Sequence, residues 1–372
     1  MRRPRKLRVL VAPDSFKGAL DQVEAAQVIA EGLSRGYGPG LVAELCPLAD
    51  GGEGSALLMT SRGGERQAVE VVDAYGRPRQ AHWVLYHDVA LVESSQGSPY
   101  CPPEDRPKPV LQTSSRGTGM LIRAALADER VREVWVGLGG TGSLDGGIGL
   151  LGSLGAHFLD ADGRGLEPSP ASWEQVVQTA LPVLAKPLIG LADVLVPLTG
   201  PDGAVRRFGP QKGLAAKDAT HAERALARWA QVCGPQYAET PGAGAAGGMG
   251  FALLCAGAVL HSGAQWWAEW TRLEERVEAA DLVVTAEGRL DEQSLLGKVV
   301  STVLAASQRQ QKPVVILAGQ VPHNLSPYYR RGVWLALPLA PGPISLPDAL
   351  SKTQDRLEAV SETVGRMLRR PF

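Results

Sequence analysis

The feature that most constrains this chain is a short apolar run, Leu7–Val11, that empties at once into Ala12-Pro13-Asp14-Ser15-Phe16-Lys17-Gly18. A strand apolar on both faces belongs inside a parallel sheet covered by helices. Residues 20–33 follow with Leu20, Val23, Ala26, Val28, Ile29 and Leu33 at helical spacing, and Asp21 is placed to cap that helix. Residues 41–48 read as a second strand. Toward the other end, residues 281–285, 313–318 and 333–337 read as strands, and residues 293–308 as a helix. Strands alternating with helices predict an α/β fold, a Rossmann-like parallel sheet with helices on both faces.

The middle of the chain differs. Residues 68–99 carry short alternating runs broken by Tyr75-Gly76-Arg77-Pro78 and His87-Asp88, the pattern of an antiparallel meander. A Pro-rich loop, Cys101-Pro102-Pro103-Glu104-Asp105-Arg106-Pro107, comes next. The prediction is an inserted second α/β domain containing antiparallel strands. It covers residues 68–279, and residues 1–67 plus 280–372 form the Rossmann-like domain. A length of 372 residues suits two domains.

Bulk properties exclude several functions. The net charge of −1 gives no broad basic surface for nucleic acid. The basic stretch at residues 2–6 reads as a solvated tail, too poor in following apolar residues for a signal peptide. No stretch reaches the ~18 apolar residues of a membrane span. Four scattered cysteines without a C-x-x-C pair suggest neither zinc nor redox chemistry and fit a reduced, cytoplasmic protein.

Glycine is abundant, 44 residues, and it clusters with charge. The clusters are residues 12–18, 48–54, 136–147, 192–213, 241–250 and 285–298. Several follow predicted strands directly, and ligands of open α/β sheets bind beyond the strands' carboxyl ends. The sequence has no P-loop, no G-x-S-x-G and no H-E-x-x-H. All six histidines lie outside the clusters. What the clusters hold is Lys17, Lys212 and Lys298, with Asp14, Asp50, Glu53, Asp145, Asp193, Glu287 and Asp291. Glycine amides and lysines neutralise phosphate oxygens, while carboxylates hold Mg²⁺ or take a hydroxyl proton.

Each piece also has a plain structural reading. Gly51-Gly52 can be a tight turn, Asp193 a turn or cap residue, Lys298 a solvated side chain. Trp266, Trp267 and Trp270 read as helix packing. Gly242-x-Gly244-x-x-Gly247 matches the dinucleotide fingerprint literally, but it follows a polar stretch ending in proline instead of a strand, which argues against a nicotinamide site.

Taken together and in order, "APDSFKG", "ADGGEG", "FGPQKG", "PGAGAAGG" and "EGRLDEQSLLGK" resemble the bacterial glycerate kinase family over nearly the whole chain. That resemblance implies a Rossmann-like domain, a distinct second domain and an active site in the cleft between them. It implies ATP-dependent phosphorylation of D-glycerate, with 2-phosphoglycerate as the product in the best-known members. Position by position, it puts Asp14, Ser15 and Lys17 at the site, then Asp50, Gly51, Gly52 and Glu53, then Gln211 and Lys212, and finally Glu287, Arg289, Asp291 and Gln293. Two positions depart from the family pattern: Leu144 and Val196 stand where the family often has asparagine.

The reading that follows is an ATP- and Mg²⁺-dependent glycerate kinase. Asp193, Lys17 and Asp50 are its catalytic candidates, Asp193 as the base, and Asp291 is its metal ligand. The remaining carried-over residues bind substrate and phosphates. A kinase of a related small hydroxy acid is the alternative, given Leu144 and Val196; a non-catalytic metabolite-binding protein is the rival from another class.

Overall fold

The computed structural model describes residues 6–369 except Leu296; the side chain of Gln293 also lies outside the described residues. In chain order the described strands are β1 (Leu7–Val11), β2 (Leu41–Leu45), β3 (Glu65–Val72), β4 (Pro78–Tyr86), β5 (Val89–Glu93), β6 (Glu133–Gly137), β7 (His157–Leu159), β8 (Gln178–Ala180), β9 (Leu188–Leu191), β10 (Val259–His261), β11 (Leu282–Arg289), β12 (Val314–Gln320) and β13 (Val333–Pro338). The chain divides into two compact units, one made of Met1–Asp50 with Gly263–Phe372, the other of Gly51–Ser262.

The first unit is a five-stranded parallel sheet in the order β13-β12-β11-β1-β2. Side chains alternate across it as the period of two demands. Val9, Val11, Leu282, Val284, Val315 and Leu317 pack on one face with the helices Gln22–Tyr37 and Thr353–Arg369. Leu10, Ala12, Val283, Val314, Ile316 and Ala318 pack on the other with the helices Gly263–Trp270, Leu273–Ala279 and Val299–Arg309. Asp21 caps the Gln22–Tyr37 helix by accepting from the amides of Val23 and Glu24. That helix lies unusually close to Thr353–Arg369: a Cβ at Gly36 would sit 2.1 Å from the Glu362 carbonyl oxygen, and one at Gly365 would sit 2.4 Å from that of Leu33.

The second unit has a mixed six-stranded sheet, β10-β9-β6-β5-β4-β3. β3, β4 and β5 form the antiparallel meander; β5, β6, β9 and β10 continue in parallel. β7 and β8 form a separate antiparallel two-stranded sheet. The α/β class and the antiparallel strands of the second unit agree with the sequence reading.

Three local expectations shift. The second strand ends at Leu45, not at residue 48. The helix predicted over 293–308 begins only at Val299, because Gly297 takes φ +79° and Lys298 is extended. The compact units divide after Asp50 and Ser262, where the sequence reading drew the lines after 67 and 279. The alternating pattern begins at residue 68, but the helix Ser55–Thr60 already packs on β4 and β5, and β3 starts at Glu65. At the far side, the helices Gly263–Trp270 and Leu273–Ala279 pack on Val299–Arg309 in the first unit. Trp267 is fully buried there and meets Trp270 edge-on at 5.1 Å, a packing role as expected.

Candidate active site

In the first unit, β1 leads to β2 on one side, and the chain returns through β11 on the other. The strand order therefore reverses between β1 and β11, the point where open α/β sheets bind ligands. Register decides which residues meet there. Val11 lies opposite Val284 of β11 and Leu45 of β2. The chain holds both neighbours past the strand end: the amide of Asp14 donates to Ala286 O at 2.8 Å, that of Leu48 to Pro13 O at 3.1 Å. Three residues beyond the Val11–Val284 pair, Asp14 reaches the level of Glu287, and the segment after β2 brings in Asp50.

These groups line a cavity of about 720 Å³ together with Ser15, Lys17, Arg289, Asp291 and Lys298. The Lys17 ammonium, on a side chain 71% exposed, lies 3.6 Å from an Asp50 carboxylate oxygen. Gly18 turns the loop with φ +80°. Asp14 accepts from the Ser15 amide at 2.7 Å. Its carboxyl is pushed up to about 7, first by burial and then by the Asp50 charge, against the pull of Lys17 and Lys298. Glu287 is 7% exposed, and its carboxyl is also pushed up to about 7 by burial; a hydrogen bond with Ser294 opposes the shift and the charge of Asp14 adds to it. Its Oε1 is buried without a hydrogen-bond partner. Asp291 is held by its backbone: its amide donates to Ser294 Oγ at 3.0 Å, and its carbonyl accepts from the Tyr328 hydroxyl at 2.5 Å. Arg289 stands 4.0 Å from Asp291 on the exposed rim.

Apart from Gln293 of the first unit, whose side chain lies outside the described residues, the remaining carried-over residues belong to the second unit. Gly51 has φ +83° and Gly54 φ +100°, a loop that leads into the helix Ser55–Thr60. β6 ends flush against this loop: a Cβ at Gly137 would meet Gly51 O at 2.3 Å. Glu53 is exposed. Asp193 is half-buried in the loop after β9, and its Oδ1 accepts from the Ser262 hydroxyl at 3.2 Å. Gln211 has an exposed side chain, while its carbonyl accepts from Arg106 at 2.7 Å. Lys212 is 5% exposed and donates to Thr141 Oγ1 at 3.2 Å and Ser143 O at 2.6 Å; burial lowers its pKa to about 7, with Asp145 opposing the shift. In this geometry the Lys212 ammonium braces a loop. Asp145, fully buried, accepts from Ser115 and from the amides of Gly147 and Gly149, a structural hub.

Sequence reasoning missed Glu93, Ser294 and Tyr328. Glu93 ends β5, is 5% exposed, and accepts from the Ala56 amide at 2.8 Å; its carboxyl is pushed up to about 7 by burial. The available signal was a glutamate closing the apolar run Val89–Glu93. The literal dinucleotide fingerprint at 242–247 follows the turn Pro235–Tyr237 instead of a strand, and Ala246, Gly247 and Gly248 all have positive φ. Among the described residues, no helix is long and apolar enough to cross a membrane.

Comparison with known proteins agrees with this geometry. The family model described as "Glycerate kinase family" matches residues 9–369. The glycerate kinase of Bacillus subtilis is 32% identical, covering 98% of each chain. The glycerate 2-kinase of Escherichia coli K12 is 35% identical over 88% of this chain and 89% of its own. A crystal structure assigned to glycerate kinase 2 of Salmonella typhimurium LT2 superposes with a TM-score of 0.82 at 33% identity, over 98% of both chains. With the family model matched over residues 9–369 and similarity to glycerate kinases over nearly the whole length, the chain belongs to the glycerate kinase family.

Proposed function

We propose that the protein transfers the γ-phosphoryl group of ATP to a hydroxyl of D-glycerate, with 2-phosphoglycerate as the favoured product. The observation that carries this reading is the convergence of Asp14, Lys17, Asp50, Glu287, Asp291 and Lys298 on one cavity at the strand-order switch. The name of the E. coli relative, glycerate 2-kinase, supports the choice of product.

Phosphoryl transfer needs alignment and charge neutralisation more than covalent catalysis. The glycerate hydroxyl attacks the γ-phosphorus, the bond to the β-phosphate oxygen breaks, and ADP leaves. Lys17 and Lys298 neutralise phosphate oxygens, and Ser15 and Arg289 bind beside them. Asp50 holds Lys17. Gly51, Gly52, Glu53, Gln211 and Gln293 complete substrate binding, and Lys212 supports it by bracing Thr141 and Ser143. Asp193 takes the hydroxyl proton, its carboxylate oriented by Ser262. A second candidate for the base is Glu287, favoured by its place in the cavity lining and its buried, unpartnered Oε1.

The cavity offers carboxylate oxygens, the hard donors Mg²⁺ prefers, yet among the described residues no three metal-ligating side chains are grouped to hold an ion. This fits an ion carried by the nucleotide and held by one or two carboxylates, Asp291 foremost. Bound there, Mg²⁺ would neutralise phosphate charge.

Of the two departures from the family pattern, Leu144 is fully buried in the core and Val196 is half-buried, and a kinase of a related small hydroxy acid stays the alternative that they raise. The test is ADP release with D-glycerate, ATP and Mg²⁺, with the product's phosphate position read by ³¹P-coupled NMR. No stimulation by D-glycerate, with turnover on another hydroxy acid, would replace the substrate; no turnover on any would remove the kinase.

A further inference from the structure

The cavity of the first unit has two chemically opposite ends. One is the charged end already described. The other is walled by Val321 beyond β12, Leu339 beyond β13, and Ile344, Leu346 and Leu350 in and before the helix Leu346–Ser351. Leu346 is 70% exposed and Ile344 37%. Large apolar side chains left open in a concave site are the surface a ligand covers.

The two ends are continuous. A Cβ at Gly18 would lie 4.0 Å from Leu350 Cδ1, so the apolar wall abuts the turn that carries Lys17. The floor is bare backbone: Gly288 of β11 and Gly319 of β12 face each other so closely that a Cβ at Gly319 would sit 2.4 Å from Gly288 O. A flat floor, an aliphatic wall and an adjoining charged turn suit a planar heteroaromatic ring joined to a polyanion.

Of the two substrates in the kinase reading, only one has such a ring. Glycerate carries oxygen on each of its three carbons and has no apolar face to place against Leu346 and Leu350. We propose that the apolar end of this cavity binds the adenine ring of the nucleotide, with the phosphates running past Gly18 toward Lys17 and Lys298. This placement rests on the kinase reading for the identity of the ligand.

The experiment measures equilibrium binding of ADP and of inorganic tripolyphosphate, by calorimetry, to the full chain and to Leu346→Asn, Leu350→Asn and Leu195→Asn. Leu195, 77% exposed in the second unit, is the control. Leu346→Asn and Leu350→Asn are expected to raise the ADP Kd at least fivefold each, to change tripolyphosphate binding less than twofold, and to leave the KM for D-glycerate unchanged. If Leu350→Asn does not fold, the exposed Leu346 still decides. Folded variants that hold ADP within twofold of the parent overturn the placement, as does equal loss of ADP and tripolyphosphate. A parent enzyme that turns over D-glycerate while the variants keep ADP affinity sinks the adenine site and leaves the kinase standing. Loss of ADP in the variants of a parent with no glycerate-dependent turnover does the reverse.

Discussion

The Lys17 ammonium lies 3.6 Å from the Asp50 carboxylate, joining the turn after β1 to the segment after β2. Asp50 also raises the pKa of Asp14, which Lys17 lowers, so three side chains from two strand ends form one electrostatic group. A phosphate arriving at Lys17 finds a cation already held near the cavity.

Lys17→Ala is expected to weaken phosphate alignment. Removing a single electrostatic contact in an active site costs on the order of 2–4 kcal/mol of transition-state stabilisation. Lys17 is largely exposed, so the lower end is expected. Steady-state kcat/KM for ATP checks it, and an unchanged value removes Lys17 from the site.

Asp193→Asn keeps the shape and the Ser262 contact but removes the base. It should lower kcat roughly 10²–10⁴-fold with KM nearly constant. Melting temperature on the same sample separates this from a loop brace. A well-folded Asp193→Asn with near-normal kcat transfers the proton to Glu287, and Glu287→Gln then shows the kcat loss.

Asp14 and Glu93 are also pushed up to about 7 by burial, and stability should fall with rising pH through the range they share with Glu287. Its carboxyl titrates near 4.5 when unfolded and about 7 when folded. Between those values the folded state holds the extra proton, so stability declines as pH rises and levels off above about 7. Glu287→Gln should flatten that decline and stabilise the protein at pH 8 by about 2–3 kcal/mol. Lys212 has the opposite sign: its folded pKa, about 7, lies below the ordinary 10.5, so its contribution improves as pH rises through that range. Chemical denaturation at several pH values reads both, and a steeper decline in Glu287→Gln contradicts the assignment.

Gly36→Ala tests the close contact of the two long helices. The new Cβ would sit 2.1 Å from a backbone oxygen, so the helices must separate. A loss of about 1–3 kcal/mol is expected, seen as a drop of several degrees in Tm. Gly38→Ala offers a contrast, since a Cβ there meets nothing within 4 Å and only the φ of +95° is strained.

Magnesium should be required for turnover but should not stabilise the chain without nucleotide, because Mg²⁺ in kinase sites is held by one or two carboxylates together with substrate phosphates. Asp291→Asn should raise the Mg²⁺ concentration needed for half-maximal rate. A Tm rise on adding Mg²⁺ alone would point to a preformed ion site instead.

Much of this was legible in the order of residues. The apolar stretches Val9–Val11, Leu282–Val284 and Val314–Ala318 are continuous because both their faces are covered, and such stretches mark buried parallel strands without any knowledge of partners. The turn at Asp14–Gly18 was legible because polar and glycine residues interrupt so apolar a strand. Family motifs then named the remaining groups.

What only the tertiary structure decided follows from register and burial. Asp14 meets Glu287 because Val11 pairs with Val284, a contact between residues 273 positions apart. Glu93 and Lys212 carry shifted protons because the second unit closes around them, and Leu144 proves to be core packing. The apolar wall joins Leu339 and Ile344 to the i, i+4 pair Leu346 and Leu350 of a six-residue helix, a pattern too short to mark a face by itself, and it becomes a surface only where β13 and that helix set it beside Gly18. Local sequence determines which strands and turns can form; the non-local free energy of packing them decides which side chains share a cavity and which charges must be borne inside it.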